Sequence, residues 1–167
     1  MSKLAFLSPD RSGPQARHAS PLARALAAAP AGAPVRDASP LGVLEVRGDP
    51  ERVPVETGEE LVRITSGRCL LLVEGSPAAA RERLRAAGLR VYELTAALAA
   101  IDVDGEQLLR RLTDLDLERL PAAGAVARGV PALVLRRRGE TFRLVVPQEL
   151  AHYVAGVVLD LADGLAR

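Results

Sequence analysis

The stretch CLLLVEGSPAAARERLRAAGLRVYELT, residues 69–95, places a helix between two strands and decides the fold class. It opens with a continuous apolar run, CLLLV, which is typical of a strand buried on both faces. Ser76 is a favoured N-cap residue, Pro77 suits the first helical position and Gly88 suits the C-terminal stop, so a helix lies between them. Residues 89–95 then alternate between apolar and polar side chains, which predicts a half-exposed strand.

Further strands and helices follow on both sides of this unit. Ile101 and Val103 of the segment IDVDG point one way and Asp102 the other, while Asp104 and Gln107 form a capping box for the next helix. The other predicted elements are strands at 42–48, 61–65, about 125–136 and 141–146, and helices ending near 113 and spanning 147–165. This order predicts an α+β fold, specifically a split βαβ (ferredoxin-like) sandwich with helices on one face of a mainly antiparallel sheet. Polar alternation in several strands predicts that one sheet face meets water or a partner.

The N-terminal region differs from the rest of the chain. Residues 1–40 are rich in Ala, Pro, Ser and Gly, with Ser-Pro steps at positions 20–21 and 39–40. The segment LARALAAA, residues 22–29, has the length of two helical turns after a Ser20 cap. We therefore predict an extended Pro/Ala-rich arm over 1–40, without a packed core, followed by a single α+β domain over 41–167.

Composition excludes several classes of protein. The chain is 49% hydrophobic and 26% charged with a net charge of +1, so no strong field favours nucleic acid or a membrane surface. No apolar run approaches the roughly 20 residues that span a bilayer, and the N-terminus lacks the apolar core of a signal peptide. The single cysteine cannot form an internal disulfide, and a cytoplasmic location is the expectation.

The residues most often used for chemistry form no reactive set. His18, His152 and Cys69 share no metal-ligand spacing, and an apolar strand keeps the Cys69 thiol protonated. The segment GAVARG, residues 124–129, lacks the Lys and Ser/Thr of a phosphate-binding loop. The three arginines at 136–138 lie at a hairpin end, which favours a charged, solvated edge over an anion site. We predict no catalytic and no metal-binding residue.

The acidic stretch LTDLDLERLPAAG, residues 112–124, could be a metal cradle, an acid/base pair or a solvated segment. Of its acids, Asp114, Asp116 and Glu118, the first two are too close to the helix end to flank a substrate from opposite sides. A metal loop would need more oxygen ligands at fixed spacing and usually a glycine turn within it. Leucines alternate with the acids, so we predict one buried edge and one wet edge.

A family resemblance lies in ELTAALAAIDVDGEQLLRRLTDLDLERLPAAG, residues 93–124, and in ALVLRRRGETFRLVVPQELAHYV, residues 132–154. The first stretch resembles a segment shared by the glycine-cleavage T-protein superfamily and the gamma subunits of heterotetrameric sarcosine oxidases. The second resembles the strand-turn-strand-helix of that family, and SPLA at residues 20–23 is similar to the start of gamma subunits. The matching positions are Glu93-Leu94-Thr95, Ile101, Val103, Gly105, Leu109, Asp116-Leu117 and Gly124. The likeness is good over 89–165 and loose before it.

The resemblance implies a module of the T-protein folate-binding fold and a non-catalytic, gamma-subunit-like component of a sarcosine (N-methylamino acid) oxidase complex. The implied partners are the alpha and beta subunits, which would carry FAD, FMN, NAD and tetrahydrofolate. This chain would bind no cofactor itself.

Departures from the family bear on its chemistry. The hairpin LRRRGETF, residues 135–142, lacks the Asp-Asp-Leu step that serves folate chemistry in T-proteins, and no KGCYxGQ motif is present. Glu93 replaces the usual Asp, and the chain has about half the length of a T-protein. Two alternatives remain open: a stand-alone folate-binding or aminomethyltransferase-like protein, and an unrelated α+β interaction module without a ligand.

Overall fold

Two antiparallel sheets form the centre of the computed structural model, which describes residues 20, 22–27 and 29–166. The strands are β1 (Val35–Asp37), β2 (Leu41–Arg47), β3 (Glu59–Thr65), β4 (Arg68–Glu74), β5 (Arg90–Glu93), β6 (Leu98–Asp104), β7 (Ala122–Val126), β8 (Val130–Arg136) and β9 (Thr141–Pro147). The α-helices are α1 (Ala23–Ala27), α2 (Ala78–Ala86), α3 (Glu106–Leu112) and α4 (Ala151–Ala166). The five-stranded sheet has the order β1-β6-β9-β8-β7 and the four-stranded sheet the order β3-β4-β2-β5.

The predicted split βαβ unit is present in the four-stranded sheet. Both β4 and β5 pair with β2 in the antiparallel sense, so they run parallel to each other on either side of it. Helix α2 connects them, and Gly88 follows the helix with a positive φ of 76°. The α+β class and the split βαβ topology are therefore confirmed.

The two sheets pack face to face, with helices on the two outer faces. Ile101 and Phe142 belong to the core beneath α3 and α4, on the outer face of the five-stranded sheet. Ala100 and Val145 point the other way and pack against Val43 of the four-stranded sheet. The remaining face of the four-stranded sheet packs on α2. The sheet face that was expected to meet water or a partner is instead largely covered by the second sheet.

The described part of the predicted arm is packed. Leu22 is fully buried in the same core as α4, and α1 contacts α4. Strand β1 pairs with β6, with Val35 opposite Val103. This corrects the expectation that residues 22–37 lack a packed core, because β6 offers an edge to β1 and α4 offers an apolar stripe to Leu22.

Two local expectations also differ. The strand predicted over 125–136 is two strands, because Ala127, Arg128 and Gly129 all adopt positive φ values and reverse the chain. Asp104 does not cap α3, whose N-cap is Gly105. Its carboxylate instead accepts hydrogen bonds from side chains across the sheet, since β1 and β9 place Arg36 and Thr141 beside it.

Candidate functional site

The acidic stretch 112–124 has the predicted wet and buried edges. Leu117 is 1% exposed in the core, whereas Asp114, Asp116 and Glu118 are exposed. The Asp116 carboxylate accepts a hydrogen bond from the Glu118 backbone N–H at 3.1 Å and caps a single 3-10 turn. These acids therefore organise a solvated turn and do not converge on a common point.

Gly124 gives this stretch its close packing. A β-carbon added to Gly124 would lie 2.6 Å from Cδ2 and 3.0 Å from Cγ of Leu115. Leu115 can therefore lie across β7 only because position 124 has no side chain. The motif position singled out in the sequence has a packing role here.

Cys69 and the described histidine have no reactive partner in the described ranges. The Cys69 thiol is fully buried and donates to the Val46 carbonyl at 3.7 Å, and burial raises the pKa of this thiol. It stays protonated and inert at neutral pH, as predicted. His152 is exposed at the start of α4. The other histidine, His18, lies outside the described residues.

The arginines at 136–138 have separate environments. The guanidinium of Arg136 lies 4.8 Å from the ring centroid of Phe142. Arg137 donates to Glu60 at 2.8 Å and to Glu74 at 3.2 Å, and Arg138 is exposed. The three do not form one anion site, which agrees with the prediction of a charged hairpin edge.

A network of charged side chains, the inter-sheet network, bridges the two sheets. It consists of Arg143, Asp102, Glu74, Arg137 and Glu60. Arg143 is 7% exposed and lies directly opposite Asp102 on the neighbouring strand. Its Nε and Nη2 donate to the Asp102 carboxylate at 2.7 and 3.0 Å, and its Nη1 donates to Glu74 of the other sheet at 2.6 Å. Hydrogen bonds to Asp102 raise the pKa of Arg143 well above its ordinary value, against the opposing effect of burial.

The inter-sheet network is structural in its geometry. Each of its carboxylates pairs with at least one guanidinium group, and these ion pairs link the two sheets. One position in the sequence indicates this network, although no site was predicted from it. Arg143 interrupts the apolar strand TFRLVV at a position that alternation assigns to the interior.

Two clefts on the described surface are open to solvent. One of about 610 Å³ is lined by backbone and side chains around Leu98, Pro147, Glu149 and His152. A second of about 390 Å³ lies beside Arg63. Within residues 20, 22–27 and 29–166, no group of three or more His, Cys, Asp and Glu side chains is placed to hold a metal ion. None of the helices in this part of the chain is long and apolar enough to cross a lipid bilayer.

Three arginines cross the uncovered end of the four-stranded sheet, and we call Arg47, Arg68 and Arg90 the arginine row. Arg47 of β2 lies directly opposite Arg68 of β4 on one side and Arg90 of β5 on the other. Directly opposed residues point to the same face, so the three side chains stand next to one another. The side chains of Arg47 and Arg68 are 52% and 48% exposed. Periodicity could not reveal the row, because it depends on the register between strands that are distant in sequence.

No protein-family model matches the chain, and no curated protein matches it in sequence. Among solved structures, the heterotetrameric sarcosine oxidase from Corynebacterium sp. U-96 contains a chain that superposes with a TM-score of 0.74 at 17% identity. The match covers 89% of this chain and 96% of that chain. The glycine cleavage system aminomethyltransferase T from Bartonella henselae gives a TM-score of 0.55 at 16% identity, over 75% of this chain and 45% of that chain.

The regulatory subunit of aspartate kinase from Thermus thermophilus is also similar, with a TM-score of 0.50 at 13% identity, over 76% of this chain and 96% of that chain. Such low identities concern the path of the backbone, and one fold can serve several functions. The sequence resemblance to sarcosine oxidase and to T-proteins is confirmed at the level of the fold. The chain has the α+β fold of the sarcosine oxidase chain over nearly its whole length, and it spans about half of aminomethyltransferase T.

Proposed function

We propose that this chain is a non-catalytic, gamma-subunit-like component of a heterotetrameric complex that oxidises sarcosine or a related N-methylamino acid. The observation that carries the proposal is the end-to-end likeness to one chain of a heterotetrameric sarcosine oxidase, over 89% of this chain and 96% of that chain. Aminomethyltransferase T supports it less, because the match leaves more than half of that protein without a counterpart. The likeness therefore favours a small subunit over a stand-alone transferase.

The chemistry of the described residues supports a subunit without catalysis of its own. Cys69 is buried away from any base, and the charged groups of the inter-sheet network are paired with one another. In the described ranges, the buried side-chain nitrogen and oxygen atoms without a hydrogen-bond partner are Nε of Arg81 and of Arg83. Both guanidiniums bind carboxylates through their other nitrogens, so neither marks a site.

Two observations support a role in which folate is bound by a partner subunit and not by this chain. Folate recognition would require a slot that encloses most of the ring, as binding sites for small molecules do. Both clefts are open surface depressions, and the β8–β9 hairpin carries Arg137 and Arg138 where T-proteins carry acids. We therefore propose that the alpha and beta partner subunits hold FAD, FMN, NAD and tetrahydrofolate.

Co-expression with any flavoprotein subunits encoded beside this chain tests the proposal. We expect one complex in which this chain co-purifies in a fixed ratio, and sarcosine-dependent oxygen consumption by the complex but not by the isolated chain. Isothermal titration of the isolated chain with tetrahydrofolate should give no heat of binding. Turnover by the isolated chain would contradict the non-catalytic role, and failure to co-purify with any flavoprotein neighbour would contradict the subunit role.

A further inference from the structure

We propose that the arginine row is a docking surface for an acidic segment of a partner protein. Val43 and Arg47 lie on the same strand and point to the same face of the four-stranded sheet, because side chains alternate between the two faces. Val43 belongs to the core between the two sheets. The arginine row is therefore on the face that packs against the five-stranded sheet farther along the strands. At this end the sandwich is uncovered. The inference rests on the proposed function in taking the partner to be another subunit of the same complex.

A buried carboxylate holds two of the three guanidiniums in place. Glu45 is 5% exposed and accepts hydrogen bonds from Arg47 Nε at 2.8 Å and Arg68 Nη2 at 2.6 Å. Burial raises the pKa of Glu45, but the hydrogen bonds from both arginines outweigh it and hold the pKa below its ordinary value. Each guanidinium carries five N–H donors, so most donors of both groups remain for an external acceptor. Their orientation is fixed before a partner arrives, which lowers the entropy cost of binding.

An exposed aromatic ring lies beside the row. Tyr92 is directly opposite Glu45 on β5 and is 46% exposed. The guanidinium of Arg47 lies 4.9 Å from the centroid of this ring. Tyr and Arg are the residue types that most often dominate binding energy at protein interfaces. The surface thus combines fixed cations with an apolar, hydrogen-bonding ring.

The positive charge of the row is not balanced within the described residues. Arg90 makes no side-chain hydrogen bond or ion pair in the described part of the chain, and Glu45 pairs with Arg47 and Arg68. Like charges directly opposite one another destabilise a sheet. Adjacent arginines that lower the stability of the free chain are expected at a site where a binding partner supplies the missing negative charge.

Carboxylates of another protein fit the row better than its alternatives. A guanidinium binds a carboxylate through two parallel hydrogen bonds, and the row already binds one carboxylate in Glu45. The net charge of +1 gives no general attraction for nucleic acid. Residues 1–19 carry Lys3, Arg11 and Arg17 against Asp10, so their charge does not complement the row. A second copy would oppose its own arginines across a two-fold axis.

The binding test uses the full chain and a fluorescein-labelled hexaglutamate peptide, followed by anisotropy at low ionic strength. We expect Arg90→Thr to weaken hexaglutamate binding about fivefold, the upper end for one exposed ion pair. The same change should raise the melting temperature, because it removes a like charge and introduces a good strand residue. Arg111→Ala, which removes an exposed arginine from α3 and changes net charge equally, should leave the affinity unchanged.

Equal loss of hexaglutamate affinity in Arg90→Thr and Arg111→Ala would overturn the proposal, as would tighter binding of a six-nucleotide oligothymidylate through the row. Co-expression then separates this inference from the proposed function. Arg90→Glu should reduce recovery of the flavoprotein subunits, and unchanged recovery would overturn the row as their docking surface. Hexaglutamate binding through the row without any flavoprotein complex would instead contradict the proposed function and leave the row as a docking surface for acidic segments.

Discussion

Replacing Arg143 with Met should lower the free energy of unfolding by about 3–5 kcal/mol, as removal of one partner from a buried ion pair does. The guanidinium lies between the sheets at 7% exposure and makes two hydrogen bonds to Asp102 and one to Glu74. The Asp102 side chain is 16% exposed, so removing the guanidinium leaves this carboxylate largely buried and without its two hydrogen bonds. Glu74 is 55% exposed and can turn to water, so most of the loss arises at Asp102.

A double-mutant cycle separates the cost of an unpaired charge from the value of the pair. Asp102→Leu alone should also destabilise, but by less than Arg143→Met, because Arg143 keeps its hydrogen bond to Glu74 at 2.6 Å. The Arg143→Met/Asp102→Leu protein should be close to the parent, since apolar residues can replace a buried pair with little loss. The control is Arg119→Ala, whose arginine is 86% exposed beside Asp116 and should contribute no more than about 0.5 kcal/mol.

Urea unfolding followed by far-UV circular dichroism gives these free energies, and the chain has no tryptophan to report instead. Two results would refute the reasoning. One is a cost for Arg143→Met that does not exceed that of Arg119→Ala. The other is a double variant whose loss equals the sum of the single losses, which would mean that solvent screens the pair.

Other changes test the packing and the electrostatics separately. Leu117→Ala should cost about 2–5 kcal/mol and Asp114→Asn at most about 0.5 kcal/mol, and thermal melts in the reverse order would make the acids structural. Gly124→Ala should cost about 1–3 kcal/mol through its clash with Leu115, and a melting temperature equal to the parent's would contradict that contact. Burial raises the pKa of Glu59, but hydrogen bonds from an α2 arginine and from the backbone hold it below the ordinary 4.5. Its stabilisation is therefore present above about pH 4.5 and is lost as the pH falls through the lower folded value, and Glu59→Gln should flatten this acid limb in urea titrations.

Local chemistry in the sequence determined the order of elements from β2 onward, apart from the reversal between β7 and β8, and the character of the 112–124 stretch. The predicted limits Ser76 and Gly88 lie within two residues of the ends of α2, although the N-cap of the helix is Pro77 and not Ser76. Alternation placed Ile101 and Asp102 on opposite faces of their strand, because successive side chains of a strand point to opposite sides. The same alternation of side chains assigned the leucines between the acids of 112–124 to the buried edge.

Tertiary structure alone decided what covers each face and which side chains meet. Alternation shows whether a strand face is apolar or polar. It does not show whether a second sheet, a helix or a partner covers an apolar face, because all three pack against the same kind of surface. The pairing of Arg143 with Glu74 spans 69 positions in sequence, and the arginine row requires β2 to lie between β4 and β5. Such contacts depend on strand order and register, which arise from burial summed over the whole chain and not from any local segment.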